Sequence, residues 1–179
     1  MTKNEKTYQY DDANIKTIEV GGHTQHELIK KMNENNIFMN RLAEELMASE
    51  YFEVSEERYR MKVVELAVKD LGFIDGAVTA QLYSKAAQSD LEICPLELAP
   101  YLRLAYLNQT EGDEGNQLQN RAPYGSITIA SKIFSEDVNV PKGFYLRRIQ
   151  GELWLRGYIA DEEHIWSPDD RFIFCIAKN

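Results

Sequence analysis

The segment FYLRRIQGELWLRGY, residues 144–158, sets three arginines, two tyrosines and a tryptophan among fifteen positions of a chain whose formal net charge is -9. Guanidinium groups offer a fixed fork of donors that matches carboxylate and phosphate, and aromatic rings stack on flat groups, so the chemistry is recognition of a planar or anionic ligand. Gln150-Gly151 supplies a two-residue reversal, with glycine taking the positive φ that such a turn demands. That reversal sets Ile149 opposite Glu152, Arg147 opposite Trp154, Leu146 opposite Leu155 and Tyr145 opposite Arg156. Side chains alternate along a strand, so Phe144, Leu146, Leu153 and Leu155 form a core face while Tyr145, Arg147, Trp154, Arg156 and Tyr158 gather on the other. Arg148 falls on the core side and needs an acidic partner or an edge position. A slip of one residue would exchange the two faces. Opposed ring and guanidinium pairs gain roughly 0.5–1 kcal/mol where exposed, so stabilisation of the hairpin alone is the competing explanation.

Other constellations could do acid–base or metal chemistry. In DEEHIWSPDDRF, residues 161–172, His164 lies among Asp161, Glu162, Asp169 and Asp170, which could tune it as a general base. With Glu97 nearby and Arg156 as an anion clamp, this would make a small hydrolase or transferase. SPDD is equally an ordinary turn before a strand. Glu97 could instead form a structural ion pair with a hairpin arginine. His23 and His26, three apart at a helix start, lack both the HExxH pattern and a third ligand, so no metal and no cofactor are expected. Cys94 could act as a nucleophile only beside His164; an inert buried thiol is the commoner case.

The motifs of large enzyme classes are missing. The sequence has no GxxxxGK(S/T), no GxGxxG after a strand, no GxSxG and no HExxH, which removes support for NTPase, dinucleotide-binding, hydrolase-elbow and zinc-protease readings. A pI near 4.9 opposes non-specific nucleic-acid or anionic-lipid binding, because the summed field repels polyanions. An acidic mimic of nucleic acid, blocking a basic protein, is a further reading. Two cysteines without CxxC spacing suit a reducing cytoplasm rather than a disulfide scaffold. No apolar run has membrane-spanning length, and the N-terminus has no signal-peptide core.

The elements that must position these residues follow from periodicity. At 179 residues, 44% of them hydrophobic, the chain has the size of one domain. Residues 1–14 read as a flexible arm and 15–179 as a single α+β domain. IKTIEV (15–20) alternates like a strand. Thr24 and Glu27 form a capping box ahead of a helix that ends at Asn35-Asn36. Asn40 caps a second helix, burying Leu42, Ala43, Leu46 and Met47. This second helix carries one arginine against three glutamates, the wrong balance for a DNA-recognition helix. KVVELAV (62–68) reads as a strand, with a helix on the Val63, Leu66, Ala67 spacing as the alternative. A helix over 77–88 is expected to face inward through Ala80, Tyr83 and Ala87, and a short turn of helix to follow Pro95. Residues 108–123 read as a long polar loop. SITIASKIF, GFYLRRI, ELWLRGYI and RFIFCIA are strand-like. Helices early and strands late predict a helical part packed on one face of a mainly antiparallel C-terminal sheet.

Through CPLELAPYLRLAYL, GFYLRRIQGELWLRGY and HIWSPDDRFIF, the chain resembles a family of small bacterial proteins whose members often carry the name helicase. The resemblance covers most of residues 15–177 and implies a bacterial, cytoplasmic protein of one domain. It supplies no set of catalytic residues, and the chain lacks the phosphate-binding loop and the length that paired motor domains require. The leading expectation is a non-enzymatic domain that binds a protein partner or an anionic small ligand on Tyr145, Arg147, Trp154, Arg156 and Tyr158.

Overall fold

Thr24 and Glu27 cap each other as their spacing predicts. The Thr24 hydroxyl accepts from the Glu27 amide at 3.2 Å, and the Thr24 amide donates to the Glu27 carboxylate at 2.8 Å. In the computed structural model, which describes residues 14–112 and 122–178, this box opens α1 (Gln25–Glu34) directly after β1 (Ile15–Val20). The expected N-terminal arm, apart from Asn14, and much of the expected loop at 108–123 lie outside the described residues. Asn36, at φ 53°, ends α1 and leads into a strand that periodicity did not signal, β2 (Ile37–Met39). Three residues are too few for an alternation to register.

Asn40 then does two jobs. Its Oδ1 accepts from the Ala43 amide, capping α2 (Arg41–Ala48), and also from the Gly157 amide, while its Nδ2 donates to the Gly157 carbonyl. The side chain thus stands in for a backbone unit at the end of a strand ladder. Gly157 is required there, since a Cβ would lie 2.6 Å from the Leu42 carbonyl carbon.

The chain continues through β3 (Tyr59–Ala67), a 3-10 turn (Val68–Leu71), β4 (Ala77–Val78), α3 (Thr79–Ala87), β5 (Leu91–Glu92) and α4 (Leu98–Ala105). After the undescribed stretch come β6 (Ile127–Ile129), β7 (Gly143–Ile149), β8 (Glu152–Tyr158), β9 (Ile165–Trp166) and β10 (Arg171–Ile176). The main sheet runs β1-β3-β10-β6-β7-β8-β2, with β5 also on β10, and β4 pairs with β9 in a separate ribbon. Pairing is antiparallel except at β6–β10 and β2–β8. The fold is α+β, as the order of helices and strands predicts, and four earlier strands, β1, β2, β3 and β5, join the late ones in the sheet.

Both faces of the sheet are covered at its centre. Val63, Ile173 and Cys175 point into one core, beneath α1, α2 and α4; Val64, Phe172 and Phe174 point into the other, beneath α3 and Trp166. This corrects the expectation that the helices share one face. Strands buried on both sides read as near-continuous apolar runs: FIFCIA is one, and VVELAV is interrupted only by Glu65, which pairs with Arg171. The facing of α3 is also corrected: Leu82 and Ala86 are buried, Tyr83 is half-buried, and Ala80 and Ala87 are exposed. Leu82 buries more apolar area than either alanine and sets the orientation. The turn after Pro95 grows into a full helix, α4. Pro100 is tolerated there because amides in the first helical turn have no intrahelical acceptor.

Candidate functional site

The hairpin reverses at Gln150-Gly151 with φ of 51° and 77°, positive at both positions as a type I′ turn demands. Its register sets Ile149 against Glu152, Arg147 against Trp154, Leu146 against Leu155 and Tyr145 against Arg156, as the sequence predicts. Phe144, Leu146 and Leu155 are fully buried under the helices, and Leu153 packs against the same core. Arg148, on that side, finds the acid it needs: its Nε lies 3.2 Å from the Glu111 carboxylate, and its Nη1 donates to the Gln109 carbonyl.

The opposite face carries the candidate site, and its five residues are not equivalent. Tyr145, Trp154 and Arg156 are half-exposed. The Arg156 guanidinium lies 5.0 Å from the Trp154 ring centre, and its Nε donates to the Tyr145 hydroxyl at 2.9 Å. These contacts hold the cation between a ring and a phenol. Among the described residues no carboxylate forms an ion pair with it.

Arg147 does not belong to the accessible part, whereas Tyr158 is half-exposed like Tyr145. Arg147 is only 8% exposed. Tyr158 packs edge-on against Tyr145 and Trp166, and burial beside Tyr83 pushes its phenol well above the ordinary value. The structure adds one residue that the sequence reading missed. Phe38, 44% exposed on β2, stands opposite Trp154 in the ladder, with ring centres 5.2 Å apart. Its only sequence signal was an aromatic residue beside the helix-breaking asparagines.

The helix side of the same hairpin holds a different arginine. Arg103 of α4 is fully buried. It donates to Gln109 Oε1 at 2.6 Å and to the carbonyls of Tyr106, Trp154 and, at 3.5 Å, Arg147. Burial pulls its guanidinium down to about 10, which leaves it charged at neutral pH. Gln109 completes the knot by donating to the carbonyls of Gly125 and Leu146.

The remaining candidates are scattered. Glu97, 3% exposed, is saturated by the Ser55 amide and hydroxyl and the Tyr59 hydroxyl, at 2.6–2.8 Å. It pairs with no hairpin arginine among the described residues. His164 packs edge-on against Trp166 at 4.8 Å, and Trp166 belongs to the core on the opposite side of the sheet from the residues flanking Glu97. The structure therefore does not bring His164 and Glu97 together. His23 hydrogen-bonds Tyr101 at 3.2 Å through Nδ1, while His26 is exposed. Cys94 is buried beside Cys175, not beside His164. A cavity of about 430 Å³ opens near the C-terminal end of α4, walled by the Glu65–Arg171 ion pair, Tyr106 and Asp170, and it contains no residue of the hairpin face. The carboxylates of Glu19, Glu34, Glu45 and Asp169 are paired with lysine or arginine. Among the described residues no helix is long and apolar enough to cross a membrane. The chain matches no known family model, no curated protein and no solved structure.

Proposed function

We propose that this domain is a non-enzymatic binding module that receives a carboxylate or phosphate, carried on a protein partner or a small molecule, at Arg156. The observation that carries this reading is the way Arg156 is held: half-exposed, fixed by the Trp154 ring and the Tyr145 hydroxyl, with no ion-pair partner among the described residues. A guanidinium fixed in this way loses little side-chain freedom on binding, so more of the charge-assisted hydrogen-bond energy reaches the complex. The rings of Trp154 and Phe38 extend the face for a flat group beside the anion. Separation of His164 from Glu97 leaves the general-base reading without a second catalytic group.

Benzoate and phenyl phosphate, each combining a ring with an anion, are suitable probes, followed by tryptophan fluorescence or heat release. Saturable binding that is lost in Arg156→Ala and retained in His164→Ala is the expected result. Binding unchanged in Arg156→Ala would sink the reading. Arg147→Ala is unsuited to this test because that side chain is buried and its loss reports on folding.

A further inference from the structure

Cys94 and Cys175 are 81 positions apart in sequence, yet their sulfur atoms lie 2.8 Å apart. The meeting follows from how one edge of β10 is shared. β6 covers Arg171 to Ile173, β5 sets Glu92 against Cys175, and the chain beyond β5 brings Cys94 into a bridge with Ser131, just past the end of β6. Both thiols are buried, at 3% and 4% exposure, and the half-buried Met61 places its thioether sulfur 3.1 Å from Cys175. Three sulfur atoms therefore converge under the sheet, and two of them are thiols.

The spacing distinguishes a covalent bond from a metal chelate. Sulfurs bonded to each other lie about 2.05 Å apart, so the 2.8 Å gap closes with a small side-chain adjustment. A metal at ~2.3 Å from both sulfurs would be held at an S–metal–S angle of roughly 75°, far below tetrahedral. We infer that Cys94 and Cys175 form an oxidation-sensitive dithiol, which a peroxide converts into an intramolecular disulfide stapling the segment before α4 to β10. This inference does not depend on the hairpin face.

The chemistry balances with a peroxide as the co-reactant. One sulfur, as thiolate, attacks the peroxide O–O bond and becomes a sulfenic acid while the first water leaves. The other sulfur then attacks the sulfenic sulfur; its S–O bond breaks, and hydroxide departs with the second thiol proton as a second water. Two thiols give up two electrons, and the peroxide accepts them. Burial and the neighbouring Cys175 thiol hold Cys94 well above the ordinary cysteine range, so it is protonated at neutral pH. Reaction therefore proceeds through local opening of the segment between β5 and α4.

The test uses the reduced full-length chain exposed to hydrogen peroxide under native conditions, beside Cys94→Ser and Cys175→Ser. The intact mass should fall by two hydrogens, and peptide mapping should recover a Cys94–Cys175 cross-link. Both thiols should resist alkylation after denaturation, and Tm should rise by on the order of 10 °C. A thiol reductant should reverse every change, and neither serine variant should show any. An unchanged mass, oxygen added to one sulfur without a cross-link, or a disulfide between chains would overturn the inference. If a serine variant fails to fold, the mass and peptide map of the unsubstituted chain still decide.

Discussion

Arg103 and Arg156 meet the β7–β8 hairpin from opposite faces. Arg103 enters from the helix side with no exposed surface, and the acceptors around it are neutral: one amide oxygen and three backbone carbonyls. Arg156 lies on the far side, half-exposed, with a ring beneath it and a single phenol oxygen on Nε. A buried cation spread over carbonyls fixes how α4 meets the hairpin, because any shift leaves both the charge and the carbonyls unsatisfied. A half-exposed cation steadied only by a ring and a phenol can still meet an incoming anion. The same side-chain type thus acts as a structural tie in one place and as a candidate receptor in the other, according to what already surrounds it.

Arg103→Met puts this contrast under the greatest strain. It removes the donor while leaving Gln109 and the carbonyls buried, and it should lower unfolding free energy by about 3 kcal/mol or more. Urea unfolding measures the loss. Arg103→Lys should rescue little, because an ammonium cannot reproduce the planar fork. A loss below about 1 kcal/mol, the worth of an ordinary hydrogen bond, would mean that Arg103 is not the tie described.

The next effect arises at the inner end of the hairpin face, where Tyr158 and Tyr83 adjoin. Burial pushes the Tyr83 phenol up to about 12, and Tyr158 is raised as well. Below pH 10 these phenols are neutral in both folded and unfolded chains, and their contribution is fully present. Above pH 10 the unfolded chain releases protons that the folded chain keeps, so stability falls as pH rises through the folded values. Between pH 10 and 12 Tyr83 alone should cost on the order of 2 kcal/mol. The pH dependence of the urea midpoint measures it, and Tyr83→Phe should flatten the slope whatever it does to absolute stability.

Arg156→Ala should look different from Arg103→Met. Stability should change by under about 1 kcal/mol, the range for exposed cation–π contacts. Affinity for benzoate or phenyl phosphate should fall at least about tenfold, since a charge-assisted hydrogen bond exceeds roughly 1.4 kcal/mol. If both arginines behaved alike on unfolding, the division into tie and receptor would fail.

What the sequence made legible divides along the same line. The hairpin could be read because Gln150-Gly151 fixed its reversal and seven consecutive pairs then followed by alternation. The helix starts at Thr24 and Asn40 could be read because capping is chemistry among neighbours. Arg103 could not, since its partners Gln109, Arg147 and Trp154 converge only through the packing of α4 on the sheet. Phe38 was illegible for the same reason: β2 is too short for periodicity, and its partner Trp154 lies far along the chain. The alternation that placed Arg147 on the outer face was right about direction but silent about depth. Tyr158, half-exposed at the Trp166 end of the face, packs there against the opposite core.

Phe38 offers the smallest effect and the most specific one. Its ring is 44% exposed and, among the aromatic rings of the described residues, packs on Trp154 alone, so Phe38→Ser should cost a few tenths of a kcal/mol in stability, as exposed substitutions do. If the face only stabilises its own hairpin, that is the whole consequence, and ligands should not distinguish the variant. If it stacks a flat group beside the anion on Arg156, benzoate and phenyl phosphate should bind a few-fold more weakly while inorganic phosphate, which has no ring, binds as before. Equal weakening of all three would place Phe38 in support of Trp154 rather than in contact with the ligand, and that result would confine the receptor to Arg156, Tyr145 and Trp154.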